Sequence, residues 1–318
     1  MENLVGSKRL AVLVGCNYAN TPNELHGCIN DVLAMRQMLI NRFGFDPRNI
    51  QLLTDAPGSL IMPTGAKIKE ALDRMVEEVE PGDVLYFHYS GHGTLIPSIK
   101  RVRPFHQDEA IVPCDFNLIT DVDFRNLVNR VPKGASLTIL SDSCHSGGLI
   151  NKEKEQIGPS SLRADHVPTL DKITKSKTIP FESILHHLSS RTHINTPDLG
   201  THLLELFGAA ASLSFSLASH ELHLIPSVHE DSGILLSGCQ ANESCADMNP
   251  HGNGEKAYGA FSNAVENVLN QNSNCDLSNK EVVLMARNVL QKQGFGQHPC
   301  LYSSDDHAKS TFLNQLSK

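Results

Sequence analysis

Several features that define other protein classes are missing from this chain of 318 residues. The opening apolar run is too short for a secretory signal peptide, and no uncharged apolar stretch approaches the roughly 20 residues of a membrane-spanning helix. The net charge of −8 is mild and unclustered, which argues against nucleic acid and anionic membranes as partners. These absences predict a cytoplasmic protein, with the nucleus as the alternative, and the length suits one large domain or two small ones.

The eight cysteines contain no C-x-x-C pair. Six of them lie within or beside apolar runs, and only Cys245 and Cys275 do not. This distribution predicts reduced, mostly buried thiols rather than a disulfide framework.

An alternation of strand-like and helix-like patterns runs through the first half of the chain. Continuous apolar runs separated by amphipathic stretches predict an α/β fold with a mostly parallel central sheet and helices on both faces. Asn30 or Asp31 is the expected cap of the first helix, and Thr64 that of the second. The predicted strands of the sheet are residues 8–15, 49–55, 84–89, 136–141, 233–240 and 298–304.

From about residue 152 to 230 this alternation gives way to Ser, Thr, Pro, His and Lys. The stretch is too long for an ordinary loop in a compact domain. Two parts of it, 181–188 and 201–207, have helix-like apolar spacing and are expected to pack onto the rest.

The reactive residues His92 and Cys144 each follow an apolar run that ends in glycines, at 83–93 and 136–148. If the two runs are parallel neighbours, both side chains lie at the same edge of the sheet. An imidazole that accepts the thiol proton produces a strong nucleophile. The N–H groups of Gly93 and Cys144 would then hold the oxyanion of a tetrahedral intermediate. The pattern predicts a cysteine protease.

Two aspartates are candidates for the substrate pocket. Asp142 and Cys144 differ by two positions and share a face if the strand continues to the cysteine. Asp31 follows the first strand and would reach the same edge, with a plain helix cap as its alternative role. Carboxylates beside a nucleophile suit a cationic substrate side chain.

Other chemistries fit the residues less well. A cysteine phosphatase would need an arginine shortly after Cys144, where Ile150 and Asn151 stand instead. A thiol hydrolase of a non-peptide acyl bond and a binding-only pseudo-protease remain as alternatives. The candidate zinc donors, none of which shows the spacing of a zinc motif, are His88, His92, Cys144 and His145.

The segments HYSGHG and SDSCHSGG, together with LHGCINDV, DEAIVPCDFNLITD, KEKEQIGPSS and LLSGCQA, resemble the plant type II metacaspases over nearly the whole chain. The resemblance implies a caspase-like fold and a monomeric peptidase that cuts protein substrates after Arg or Lys, not after Asp. It associates the protein with programmed cell death or stress proteolysis. It also adds release to the apoplast without a signal peptide as an alternative location.

The resemblance assigns roles residue by residue. Cys144 matches the nucleophile and His92 its partner. Asp31 and Asp142 match the acidic floor of the pocket for the residue before the cut bond, called the P1 residue. Cys28 matches a second cysteine near the active site, an auxiliary thiol, with a plain core role as its alternative.

The same resemblance implies a zymogen that cuts itself in the linker. The processing position falls on Lys177, with Arg163, Lys172 and Lys175 as competitors, and an uncut linker would occupy the acidic pocket with its own lysine. Within one caspase-like domain, the implied parts are a p20-like subunit at 1–151, a linker at 152–230 and a p10-like subunit at 231–318.

Calcium is where the chain departs from the family pattern. Removing carboxylates weakens a site for a hard cation. We therefore expect weak or absent calcium dependence, and no other cofactor. The family's acidic cluster corresponds to Asp108, Asp121, Val122, Asp123 and Asn151, of which two carry no charge.

Overall fold

The structure, a computed structural model, describes residues 7–97, 107–150, 154–158, 174–222, 224–225, 233–240, 243–252 and 254–313. The strands in these ranges are β1 Arg9–Gly15, β2 Ile50–Thr54, β3 Val84–Ser90, β4 Gly93–Pro97, β5 Gln107–Ile111, β6 Ile119–Thr120, β7 Ser136–Asp142, β8 Glu155–Ile157, β9 Thr174–Ser176, β10 Ile234–Ser237, β11 Ala246–Met248, β12 Tyr258–Gly259 and β13 Cys300–Tyr302. The α-helices are α1 Cys28–Asn41, α2 Gly65–Glu77, α3 Asp121–Val128, α4 Phe181–Thr192, α5 Leu199–Phe207, α6 Leu213–Ser216, α7 Ser219–Leu222, α8 Ala260–Gln271, α9 Asn279–Lys292 and α10 Asp305–Lys309.

Within the described ranges, the central sheet has seven strands in the order β2-β1-β3-β7-β10-β13-β8. The first five are mutually parallel, and β13 pairs antiparallel with both β10 and β8. This mostly parallel sheet confirms the predicted fold class. Strands β4, β5 and β6 form a separate, short antiparallel sheet.

Both faces of the sheet are buried, which explains the continuous apolar runs. Alternate residues of β1 enter two different cores: Ala11 and Leu13 pack on one side, and Val12 and Val14 pack on the other. Helices α1, α8 and α9 supply the first core, and α2 and α3 supply the second. Helices on both faces are therefore confirmed as well.

The start of α1 differs from the expected cap. The helix begins at Cys28, and its N-cap residue is Gly27, which has no side chain that could cap it. Neither Asn30 nor Asp31 is therefore the cap. The side-chain oxygen of Asn17 accepts the N–H of Cys28 at 3.0 Å, so a distant segment satisfies the helix start. Asp31 then lies in the first turn, buried and available for another role. The predicted cap of α2 is confirmed, since Thr64 accepts the N–H of Lys67.

Much of the predicted linker is ordered structure. Helices α4 and α5 pack with residues of β4 and of the loop after β5 in a third apolar cluster, as their spacing predicts. Strand β8 joins the edge of the central sheet, and β9 joins a small sheet with β11 and β12. The division into p20-like, linker and p10-like parts stays a prediction. Among the described residues, no helix is both long and apolar enough to cross a membrane.

Candidate active site

The register of the sheet brings the two reactive residues to one edge. Strands β3 and β7 are parallel neighbours, and Ser90 lies directly opposite Asp142 at their ends. His92 and Cys144 each follow two positions later. They are almost completely buried, at 3% and 0% exposure. The structure therefore brings together the imidazole and the thiol that the sequence singled out.

The ring of His92 has a defined tautomer. Its Nε2 lies 2.8 Å from the carbonyl oxygen of Asn23 and donates to it, because a carbonyl oxygen only accepts. In the described part of the chain, Nδ1 has no hydrogen-bond partner, so its lone pair is available. Burial lowers the pKa of His92 to about 4, so the ring is neutral and can accept a proton.

The sulfur of Cys144 is held by a different set of groups. It accepts the N–H of Cys245 at 3.0 Å. Burial acts to raise the pKa of the Cys144 thiol, but the polar groups of Cys239 and Cys245 around the sulfur outweigh it and hold the pKa well below its usual value. These groups ease loss of the thiol proton, and His92 makes no direct hydrogen bond to the sulfur, which differs from the ion pair that the sequence suggests.

The two predicted oxyanion donors converge on one oxygen. The N–H of Gly93 donates to the carbonyl oxygen of Lys177 at 3.0 Å, and the N–H of Cys144 donates to the same oxygen at 3.4 Å. A side chain at position 93 is excluded, because a Cβ there would collide with the carbonyl oxygen of Cys144. The two N–H groups predicted to hold an oxyanion therefore both point at the carbonyl oxygen of the chain's own Lys177.

The side chain of Lys177 enters an acidic pocket and is completely buried. Its Nζ lies 3.2 Å from the Asp142 carboxylate and 3.6 Å from that of Asp31. It also donates to the hydroxyl of Ser90 at 2.9 Å, and this hydroxyl donates to Asp31 at 2.6 Å. The two aspartates that the sequence predicted as a pocket floor thus face one ammonium group.

The floor of the pocket depends on a glycine. The N–H of Gly259 donates to both carboxylate oxygens of Asp31, at 2.8 and 3.0 Å. A Cβ at this position would collide with the oxygens of Asp31 and Asp142 and with Nζ of Lys177. The N–H of Ser262 completes the floor by donating to Asp142 at 2.8 Å.

Burial shapes the ionisation of this pocket. It raises the pKa of Asp31 to about 7, although the ammonium of Lys177 acts in the opposite direction. For Lys177 burial acts to lower the pKa, but the carboxylates of Asp142 and Asp31 outweigh it and raise the pKa well above its usual value. The filled pocket therefore holds a charged lysine. Without this ammonium group, the carboxyl group of Asp31 would keep its proton more strongly.

The residues around Lys177 run through the cleft as an added strand. Strand β9 pairs antiparallel with β11, placing Ser176 opposite Ala246. The N–H of Lys177 donates to the carbonyl of Cys245 at 3.0 Å, and the N–H of Ile179 donates to that of Gly93 at 3.1 Å. This is the way in which an extended peptide adds to a sheet edge.

The remaining predicted residues lie outside this centre. Cys28 is the first residue of α1, beside the pocket wall, and burial raises the pKa of its thiol well above its usual value. Of the competing processing positions, Lys175 donates from an exposed side chain to the carbonyl of Glu24. Arg163 and Lys172 lie outside the described residues.

Two of the aspartates predicted as calcium ligands, Asp121 and Asp123, contact other groups of the protein. The carboxylate of Asp123 accepts the N–H of Thr120 at 2.8 Å and that of Leu213 at 3.0 Å. Asp121 lies 3.7 Å from Arg125. Asn151 lies outside the described residues. Over the described ranges, the candidate aspartates Asp108, Asp121 and Asp123 do not form a close group of three donors.

One close group of metal-type donors does occur in the described chain, and it was not among the predicted donor sets. Cys144, Cys239 and Cys245, here called the thiol triad, have sulfur atoms within 4.8 Å of one another. The group contains neither His88 nor His145. All eight cysteines of the chain are described and free, which confirms reduced thiols, but Cys245 is buried although no apolar run surrounds it.

Other functional residues also escaped the sequence analysis. Ser90 ends a predicted strand and Gly259 precedes a predicted helix, so local pattern assigns both to structure. Asp247 accepts the N–H groups of His26 and Gly27, just before the helix that carries Asp31. Each becomes recognisable only when the segments are assembled, since no short motif links them.

Comparison with known proteins agrees with this geometry. Residues 8–309 match the family model described as Caspase domain. The fold resembles protein GSU0716 from Geobacter sulfurreducens (19% identity, TM-score 0.63, 98% of this chain and 100% of that one). It also resembles Caspase-1 from Spodoptera frugiperda (9% identity, TM-score 0.52, 98% and 92%). The class is thereby defined: a cysteine-type peptidase of the caspase fold.

Relatives within this class are closer in sequence. Metacaspase-9 of Arabidopsis thaliana is 60% identical over 319 aligned residues, which cover 97% of each chain. Metacaspase-6 of the same plant is 37% identical and covers 95% of this chain and 99% of its own. Metacaspase-1 of Schizosaccharomyces pombe is 32% identical, with 93% and 67% covered. The chain therefore belongs to the metacaspases.

Proposed function

We propose that this metacaspase is an endopeptidase that cuts after Arg or Lys and is made as a zymogen whose own Lys177 fills the substrate site. The proposal rests on the position of one residue, Lys177. Its ammonium group faces Asp31 and Asp142, while its carbonyl oxygen receives the N–H groups of Gly93 and Cys144. A buried cation with two carboxylates is what a pocket for basic P1 residues requires.

In the proposed reaction, Cys144 is the nucleophile and His92 the general base. Nδ1 of His92 takes the thiol proton as the sulfur attacks the carbonyl carbon of the P1 residue, and it then passes that proton to the leaving amine. The N–H groups of Gly93 and Cys144 stabilise the oxyanion. Water, losing a proton to the same nitrogen, then hydrolyses the thioester and frees the enzyme.

Latency follows from the same contacts. While the chain is uncut, Lys177 occupies the pocket and the added strand blocks the cleft to other peptides. Cutting after Lys177 frees the new chain ends, so that the segment can leave and p20-like and p10-like parts remain. We propose that the processed form acts as a monomer on protein substrates in programmed cell death or stress proteolysis.

The P1 preference is tested with processed enzyme and peptides that differ only at P1. We expect kcat/KM for Arg and Lys to exceed that for Asp by about a thousandfold, because juxtaposed like charges are unfavourable by several kcal/mol. Gly259→Ala should lower the values for Arg and Lys about 10- to 100-fold, since its Cβ overpacks the pocket. Gly200→Ala, on α5, is the matched control and should not change them.

Three outcomes of these assays would contradict the proposal. Equal cleavage after Asp would show that the acidic pocket does not select the P1 residue. Hydrolysis of acyl esters without hydrolysis of any peptide would favour a thiol hydrolase of another bond, and no turnover at all would favour a binding-only protein.

Calcium independence is a separate expectation. The carboxylate of Asp123 already receives two backbone N–H groups, and the cluster lacks two of its charges, so micromolar calcium has too few oxygen ligands there. We expect activity on an Arg peptide to change less than about twofold between chelator and millimolar calcium. Strict dependence at micromolar calcium in this titration would contradict the expectation.

A further inference from the structure

The thiol triad is a second chemical feature of the active-site edge, and the proposed peptidase reaction uses only one of its three side chains. Cys144 follows β7, Cys239 follows β10 and Cys245 precedes β11, so the fold assembles the group from three distant segments. The three residues have exposures of 0%, 1% and 0%. Three sulfur atoms within 4.8 Å of one another form a compact, purely soft donor set.

We propose that the thiol triad binds one soft divalent cation, Zn²⁺ or Cd²⁺, through three thiolates. Zinc–sulfur bonds of about 2.3 Å in a tetrahedral site put ligand sulfurs roughly 3.8 Å apart. The sulfurs of the triad therefore need to approach by roughly 1 Å at most. Thiolate ligands select zinc-like cations over magnesium and calcium, which prefer oxygen.

A fourth ligand would have to come from the added strand or from solvent. The hydroxyl of Ser176 lies 3.9 Å from the sulfur of Cys144, and Ser176 is exposed to solvent. Either this hydroxyl or a water molecule completes the tetrahedron.

Protons balance in the binding step. Without metal, Cys239 and Cys245 hold their protons and donate them to the carbonyl oxygens of Glu243 at 3.5 Å and of Ser143 at 3.2 Å. The cation displaces both protons, and a third if Cys144 is not already ionised. Three thiolates and one divalent cation leave a net charge of −1, and no electron is transferred.

Occupancy would silence the nucleophile. The sulfur lone pair of Cys144 that attacks a peptide would instead bind the cation, so zinc would act as a reversible inhibitor at the reacting atom. Binding of the cation does not depend on the proposed function. The inhibition does depend on it, and the two are therefore measured separately.

The binding test uses the full chain with His92→Ala, which keeps the triad and removes the proposed base so that the chain stays uncut. Equilibrium dialysis against Cd²⁺, read together with the sulfur-to-cadmium ultraviolet absorption, should give one ion per chain. Adding Cys239→Ser should weaken binding by at least about 100-fold. Loss of a residue that only supports a metal ligand lowers metal affinity about 10- to 100-fold, and loss of the ligand itself should lower it more. Cys300→Ser, a buried thiol outside the triad, should leave binding unchanged.

Circular dichroism establishes that each variant is folded, and Cys245→Ser replaces Cys239→Ser if the latter is not. Absence of a bound ion, or binding that survives loss of either triad cysteine, would overturn the proposal. Equal weakening by Cys300→Ser would also overturn it, because the ion would then lie elsewhere.

The inhibition test uses processed wild-type enzyme and an Arg peptide. Zn²⁺ should block hydrolysis reversibly, with recovery on adding a chelator, and Cys239→Ser should need at least about 100-fold more zinc. A chain that binds Cd²⁺ at the triad but hydrolyses no peptide would contradict the proposed function and would still support the metal site. Full activity with the triad occupied would refute the inhibitory role.

Discussion

The Cys144→Ala chain is expected to remain a single uncut polypeptide and to lose hydrolysis of Arg and Lys peptides by about 10⁵- to 10⁶-fold, the scale on which a peptidase loses rate without its nucleophile. The side chain is buried with its sulfur on the N–H of Cys245, so removing one atom should leave the surrounding fold intact. Gel electrophoresis of the purified protein and peptide kinetics measure the two effects. His92→Ala should also stay uncut, because the thiol proton then has no acceptor.

The exposed thiol of Cys275 offers a matched control for this experiment. Cys275→Ala makes the same chemical change on the surface and should process and hydrolyse peptides at the wild-type rate. If the Cys144→Ala chain still cut itself, another thiol would have to be the nucleophile, with Cys28 as the first candidate because it lies beside the same pocket.

The second large effect is expected at the proposed cut. Lys177→Ala should slow self-cleavage between positions 177 and 178 by roughly 150- to 5,000-fold, because removing one partner of a buried ion pair costs about 3–5 kcal/mol. Asp31 and Asp142 would then lie in the pocket without their cation. Mass spectrometry of the chain over time identifies the new amino terminus at Thr178 and gives its rate of formation.

Lys177→Arg is the matched variant, since it keeps the charge at the same position and should still be processed there. The uncut Lys177→Ala chain should in addition bind a small guanidinium compound that the uncut wild type excludes, because its pocket is no longer filled although the added strand still blocks peptides. Full-rate processing of Lys177→Ala at Arg163, Lys172 or Lys175 would contradict the proposed latency.

Much of the fold followed from local pattern. Strands buried on both faces of a parallel sheet are mostly apolar, so the predicted strands at 8–15, 84–89 and 136–141 correspond closely to β1, β3 and β7. Helices α4 and α5 were likewise visible in the spacing of their apolar residues. The predicted cap of α1 was wrong. The first N–H group of this helix donates to Asn17, a residue too far back in the chain for a local capping rule to consider.

The site divides in the same way. His92 and Cys144 stand out because each follows a buried run and is flanked by glycines, and parallel strands carry such residues to a common edge. Asp142 follows from the two-residue period of a strand. Ser90 and Gly259 are invisible to these arguments, because each has an ordinary structural role in its own segment and meets the pocket only through packing.

By itself, then, the chain's pattern of apolar runs, glycines and reactive side chains determined a parallel α/β sheet with an imidazole and a thiol at one edge, since these properties depend on neighbours a few positions away. The family resemblance named Lys177 ahead of its competitors. Only the tertiary structure decided that Gly259 leaves room for this side chain and that Cys239 and Cys245 surround the nucleophile. Those contacts join segments far apart in the chain, and their distances are set by how the segments pack rather than by any local periodicity.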